Sequence, residues 1–352
     1  WKVKESSSNG NGIECTGEKV MEIRCPPAAR IIWHPSIPSQ IILLHRLAAA
    51  TGGGLDAVVG ATHIDLLKLK TAPHEEEGHP VGICNSEPVV GGDGTLKFVL
   101  QGDPQRMGMN DLCWSRIDSR HVLTAHNDGY VRLWNLGYAN SHDGLDSATC
   151  LVEVRVGPEP STGDDDDDDV VERCMFLPSY NNASIRPADG HSTHPAGASY
   201  MTNPFLTVTK KGSEVTLWSP FLTTTTSSST PSLPTKVRVF QIANASPHRY
   251  DVSFITFPPT PMPHPDPKPP TTYVVLANDT DGSIYALHLA TTFRDEPSVL
   301  PTKRIAVVHG FDYLVPFRAV HPIYSCTAAS SVSTDTGAVG LHNIDLYCVQ
   351  SK

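Results

Sequence analysis

Apolar residues along this chain come in short bursts, often β-branched, separated by clusters of Gly, Asp, Asn and Pro. That pattern predicts short β-strands joined by many turns, with no long amphipathic helix. The clearest unit is residues 109–136. Its alternation predicts strands over Asn110–Ser115, His121–Ala125 and Tyr130–Leu136. Between the last two, Asn127-Asp128-Gly129 reads as a tight hairpin turn, because glycine tolerates the positive φ such turns demand.

The closing strand of that unit recurs in weaker copies. They begin at Thr62, Gly212, Asp281 and His342, and each alternates apolar with polar after a turn-forming residue. Aligned on Trp134, the equivalent positions are Leu67, Trp218, Leu287 and Tyr347, with Trp1 as the same place in an earlier unit. Successive spacings are 66, 67, 84, 69 and 60 residues. A bare four-stranded propeller blade takes about 40 to 45 residues, so each unit is expected to carry an insertion. Candidate insertions are residues 48–54 (Gly-rich), 158–169 (acidic), 181–199 (Asn, His and Pro), 223–234 (Ser/Thr) and 258–270 (Pro). None can bury enough apolar area to balance its ordering entropy, so all are expected as solvated loops.

The ending Val131-Arg132-Leu133-Trp134 resembles the last signature strand of a WD-repeat blade. Residues 1–352 are therefore predicted to form one all-β WD-repeat β-propeller, with five complete blades plus part of another, a fragment of a seven-bladed parent. In regular repeats a His, a hydroxyl, an Asp and a Trp are linked by hydrogen bonds. Here Thr124, Asp128 and Trp134 supply three of those places, while the upstream Gly-His is replaced by Gly102-Asp103. The expected blade signature is Thr124, Asp128, Gly129, Trp134, Trp218, Leu287 and Tyr347, with an architectural role. Missing early blades would leave a strand edge uncovered near residue 30 or near residue 350.

Charge changes the picture in one respect. The net charge of −10 opposes nonspecific nucleic-acid binding, which requires cations to displace phosphate counterions. Much of that charge is the run Asp164–Asp169, whose unspaced aspartates suit a solvated linker better than a calcium loop. The cysteines, Cys15, Cys25, Cys84, Cys113, Cys150, Cys174, Cys326 and Cys348, form no CxxC pair, so a zinc site is not expected and reduced core thiols are. No apolar run reaches the roughly 18 residues of a membrane helix, and no signal peptide is expected. The chain opens on Trp1 instead of Met, as an excised piece would.

Candidate chemistry adds little. His74 and His79 flank three glutamates, but a zinc helix needs its histidines four apart, and Pro80 disfavours helix there. There is no Gly-x-Ser-x-Gly element, phosphate loop or dinucleotide fingerprint. Neither catalytic residues nor a cofactor are predicted.

Several stretches, taken in order, resemble the WD-repeat domain of the mRNA-decapping enhancer scaffolds, the animal Ge-1 and plant Varicose type. They are Arg30-Ile31-Ile32-Trp33-His34-Pro35, Asp111-Leu112-Cys113-Trp114, Asp128–Trp134 and Glu214–Trp218. Val275–Asn278 followed by Ile284–Leu289, then His321–Ser325, continue the series. Most specific is the ending Ile344-Asp345-Leu346-Tyr347-Cys348-Val349-Gln350-Ser351-Lys352. The chain departs from that family in lacking one to two early blades, the long linker and the helical C-terminal region. The resemblance implies a non-catalytic scaffold of 5′-to-3′ mRNA decay in cytoplasmic P-bodies. Its partners would be the decapping enzyme and its activators, with RNA contact weak or absent and no membrane. The alternative is a generic WD-repeat adaptor, such as a ubiquitin-ligase substrate receptor or a trafficking-coat subunit.

Overall fold

A computed structural model of the chain describes residues 2–7, 13–18, 22–24, 28–45, 61–67, 71–73, 80–83, 95–97, 108–115, 121–136, 148–156, 170–177, 198–200, 203–224, 233–242, 249–257, 271–296, 303–332 and 342–350. The fold is an all-β propeller built from repeated four-stranded antiparallel sheets. Blade 1 consists of Ala28–Trp33, Gln40–His45, Ala61–Asp65 and Thr95–Lys97. Blade 2 is Met109–Trp114, His121–His126, Tyr130–Asn135 and Thr149–Arg155. Blade 3 is Val171–Phe176, Phe205–Thr209, Glu214–Trp218 and Lys236–Gln241. Blade 4 is Tyr250–Phe257, Thr271–Asn278, Ser283–Glu296 and Lys303–Arg318. A final sheet has two strands, Ile323–Val332 and His342–Gln350. In every blade the strands are hydrogen-bonded in chain order, as hairpin connections dictate.

The chain divides into two compact units, residues 1–109 with 135–149, and residues 110–134 with 150–352. In the first, Ile41, Leu43 and Ile64 form a small core in blade 1. Smaller sheets accompany it: the hairpin Lys2–Ser7 with Ile13–Glu18, and a three-stranded sheet of Glu22–Arg24, Pro80–Ile83 and Thr71–Pro73. Leu67 lies past the end of the blade 1 strand and is 83% exposed, so it does not take a tryptophan-like buried place. The turn after Asp65, held by the Leu67 amide donating to Asp65 Oδ1, carries it out of the sheet.

In the second unit the blades stack face to face. One core joins Leu123, Val131, Leu133, Val152, Val154 and Val156 of blade 2 to Phe176, Phe205 and Trp218 of blade 3. A second joins Leu206, Val208, Val215 and Leu217 of blade 3 to Val252, Val274, Leu276, Leu287 and Leu289 of blade 4. A third joins Val275, Ala277 and Ile284 of blade 4 to Ile323 and Cys326 of the final sheet. Alternate residues of one strand thus serve opposite faces, as the two-residue period requires: Val274 and Leu276 look back, Val275 and Ala277 look forward.

The hairpin predicted at Asn127-Asp128-Gly129 is present, with Gly129 at φ 80°. The blade 3 hairpin turns more sharply: Lys210, Lys211 and Gly212 all have positive φ, at 52°, 55° and 88°. A Cβ on Gly212 would stand 2.4 Å from the Tyr250 carbonyl oxygen. Gly212→Ala is therefore expected to cost about 2–3 kcal/mol, from left-handed strain together with a backbone clash. Urea denaturation checks it, and a loss under about 0.5 kcal/mol would contradict the close approach.

Two of the expected loops have ordered roots. Ala198–Tyr200, at the end of insertion 181–199, pairs with Leu222–Thr224, which enters insertion 223–234. Backbone pairing of these β-propensity residues extends structure into segments whose composition predicted solvated loops. Insertions 48–54, 158–169 and 258–270 lie outside the described residues, as do Trp1, Gly102-Asp103 and the His74–His79 stretch. No helix among the described residues is long and apolar enough to cross a membrane.

Candidate functional site

The polar side chains of the second unit fall into three groups, each set by the sheet geometry that carries it. The first lies within blades. In blade 2 the Trp134 indole Nε1 donates to Thr124 Oγ1 at 2.7 Å, and His126 Nε2 meets the same hydroxyl at 2.7 Å. The hydroxyl also donates to the Arg132 carbonyl at 3.3 Å. Blade 3 repeats the core of this arrangement, with Trp218 Nε1 donating to Thr207 Oγ1 at 2.9 Å. Registers place Leu276 and Leu287 of blade 4 where Thr207 and Trp218 stand in blade 3, and there the pair is wholly apolar. Thr124, Trp134, Trp218 and Leu287 therefore occupy equivalent buried places.

Two signature residues behave differently from expectation. Asp128 does not join the Thr124–Trp134 chain. It takes the Arg132 guanidinium in a two-pronged contact, 3.1 and 2.6 Å, and accepts the Tyr130 amide. Arg132 is 1% exposed and has Glu153 as a second counterion at 2.9 Å. Burial works against its charge, but Asp128 and Glu153 more than compensate and hold its pKa above the ordinary value. A buried guanidinium needs such partners, so the turn aspartate serves it and His126 takes the imidazole place. The second is Tyr347, which stands on the last strand with a single neighbouring strand and is 64% exposed.

The third group links successive blades through their first strands. Asp111 Oδ2 accepts the Cys174 amide at 3.1 Å, and the Phe176 amide points to Cys113 Sγ at 3.4 Å. The same figure returns between blade 4 and the final sheet: Asp251 Oδ2 accepts the Cys326 amide at 2.7 Å, and Ser253 Oγ accepts the Ala328 amide at 2.9 Å. Two residue pairs two apart, Asp111/Cys113 and Asp251/Ser253, thus latch the next sheet in the same way. Between them stands Arg173, which binds Asp251 at 2.8 Å and also feels Asp111. Desolvation opposes its charge, but Asp111, Asp251 and Glu172 raise its pKa overall. Glu172, paired to Arg249 at 3.8 Å, is itself pushed above the usual carboxylate range by burial.

Blade 4 also carries a row of rings on its forward face. Tyr273, His288 and Tyr313 are directly opposed across three strands. The two tyrosine hydroxyls are 2.7 Å apart, His288 stacks on Tyr313 at 4.4 Å, and His288 Nδ1 meets Asp312 at 2.5 Å.

Among the described residues no group of three or more His, Cys, Asp or Glu is disposed to hold a metal ion. The described cysteines Cys113, Cys150, Cys174, Cys326 and Cys348 are free thiols. Burial, with Asp251 close by, pushes the Cys326 thiol up to about 12, and burial with Glu153 pushes Cys150 up to about 11. A thiol whose pKa is raised on folding adds nothing below its unfolded value near 9, where both states keep the proton. Above that the unfolded chain releases its proton first, so stability is expected to fall as pH rises from about 9 towards 12. Correspondingly, iodoacetamide at pH 8.5 should leave Cys326 unmodified in the folded protein and label it after denaturation. Ready labelling of Cys326 in the folded state would contradict its placement.

Compared with protein-family models and with curated proteins, the chain matches none.

Proposed function

We propose that this propeller is a non-catalytic protein-interaction platform and that it serves as the propeller module of an mRNA-decapping scaffold. The fold is one commonly used to bind proteins. The observation that carries the reading is the use made of its charged side chains. Asp111, Arg173, Asp251, Asp128 and Arg132 are each engaged in holding strands or successive blades together. A rigid body of this kind raises the effective concentration of tethered partners without chemistry of its own.

The choice of decay machinery rests on the family resemblance of the stretches from Arg30 to Lys352, and with it come a cytoplasmic P-body location and the decapping enzyme and its activators as partners. A net charge of −10 fits protein partners better than RNA. Affinity capture with the folded chain from cytoplasmic extract should recover decapping components. A folded chain that recovers none of them, while capturing ubiquitin-ligase or coat subunits, would transfer the platform to another complex.

A further inference from the structure

We propose that the open edge of the final sheet, together with the uncovered outer part of blade 4, is the docking place for an extended β-strand of another protein. The proposal names the partner class of the platform reading and rests on it.

Blades 2 and 3 show what a covered face looks like. On the fourth strand of blade 2, Val152, Val154 and Val156 are all buried under the following blade. That following sheet has four strands, and Lys236 near its fourth strand reaches back to the Val156 carbonyl. On blade 4 the rows of the forward face can be followed across the sheet. One runs Asp251, Ala277, Ile284, Phe317, and the next runs Ser253, Val275, Ala286, Val315. The early members are covered: Ala277, Val275, Ala286 and Ile284 are 0, 1, 5 and 7% exposed, and Asp251 and Ser253 hold the final sheet. Cover then stops at the fourth strand, where Phe317 is 53% and Tyr313 45% exposed.

The reason is a shortage of strands. Among the described residues the final sheet has only two, and His342–Gln350 pairs with Ile323–Val332 alone. Its outward-lying residues Tyr347 and Val349 are 64 and 63% exposed. An unpaired strand row beside exposed aromatics is a template for strand addition. A strand laid against His342–Gln350 continues the packing already made by Ile323 and Cys326, and carries it outward towards Phe317 and Tyr313. Alternating apolar residues would fit it, one set facing blade 4. A second copy of this chain suits the place less well. It would bring two chains of net charge −10 together, each with Asp345 in the pairing strand. A neutral or basic segment of another protein meets no such repulsion.

The test uses the full chain and a synthetic peptide, Lys-(Thr-Val)4-Lys, with a proline-interrupted peptide of the same length as control. Hydrogen exchange is followed at the amides of residues 344–350. Free protein should exchange there at least tenfold faster than at 324–329, and the alternating peptide should slow the edge at least tenfold while the control does not. Phe317→Ser, at an exposed position, should weaken the peptide at least fivefold. Val349→Pro should abolish protection of the edge. Three results overturn the proposal: edge amides as slow in the free protein as their neighbours, protection that appears only with dimerisation, or no slowing by the alternating peptide. Capture of decapping components is a separate readout, so loss of the edge site and loss of the platform reading can be told apart.

Discussion

Replacing Asp251 with alanine is expected to lower unfolding stability by about 3 kcal/mol, and to loosen the final sheet first. Asp251 does two things at once. Oδ1 meets Arg173 of the preceding blade at 2.8 Å, and Oδ2 accepts the Cys326 amide of the following sheet at 2.7 Å. Both partners are shielded, with the Arg173 and Asp251 side chains 20 and 17% exposed, so water replaces the lost contacts poorly. Alanine would leave a largely buried guanidinium leaning on Asp111 and Glu172, and an amide without its acceptor. Asp251→Asn separates the two contributions, because the amide oxygen still accepts from Cys326 while the charge is gone. It should fall between wild type and alanine. Hydrogen exchange gives the order of events: amides of 326–328 should speed up in Asp251→Ala before those of blade 2. A loss below about 1 kcal/mol, or equal loosening of all blades, would show that this carboxylate is not the tie between sheets.

How much of this was legible beforehand depends on the range of each interaction. The Asn127-Asp128-Gly129 hairpin is local, so turn chemistry and alternation located it, and the strands fell within a residue or two of expectation. Trp218 and Trp134 were legible for the same reason, each being the buried end of an alternating strand. Leu67 and Tyr347 were aligned with them by sequence, but burial there depends on what lies beside the strand, and pattern does not carry that. Asp128 was read as part of the Thr124–Trp134 chain. Arg132, four residues away and buried, competes for it more strongly than an indole or hydroxyl does. The latches between blades were missed because their partners are 63 and 75 residues apart. A faint signal existed: Asp111-Leu112-Cys113 and Asp251-Val252-Ser253 share an Asp, an apolar residue and a small polarisable or hydroxyl acceptor at the same place in a first strand.

Trp218→Ala should cost about 3–5 kcal/mol, by the usual toll of removing a buried aromatic and leaving a cavity. The indole is 3% exposed and stacks on Phe205 with centroids 5.9 Å apart, while Phe205 also stacks on Phe221 at 5.3 Å and meets the edge of Phe176 at 6.3 Å. Lys236 lies over its ring at 5.4 Å, and its Nε1 binds Thr207. Deleting it removes both packing between blades 2 and 3 and the only indole donor to that hydroxyl shown in blade 3. Blade 4 indicates how the damage could be limited, since Leu276 and Leu287 fill the corresponding places with no polar atom at all. Trp218→Leu alone leaves Thr207 facing an apolar neighbour. Thr207→Leu alone strands the indole N–H, at about 1–3 kcal/mol. The double replacement Thr207→Leu/Trp218→Leu removes both polar partners together, so it should cost about 1–2 kcal/mol less than the two single losses added. Strict additivity in that cycle would mean the Thr–Trp contact contributes only volume, and that blades 3 and 4 are not two solutions to one packing problem.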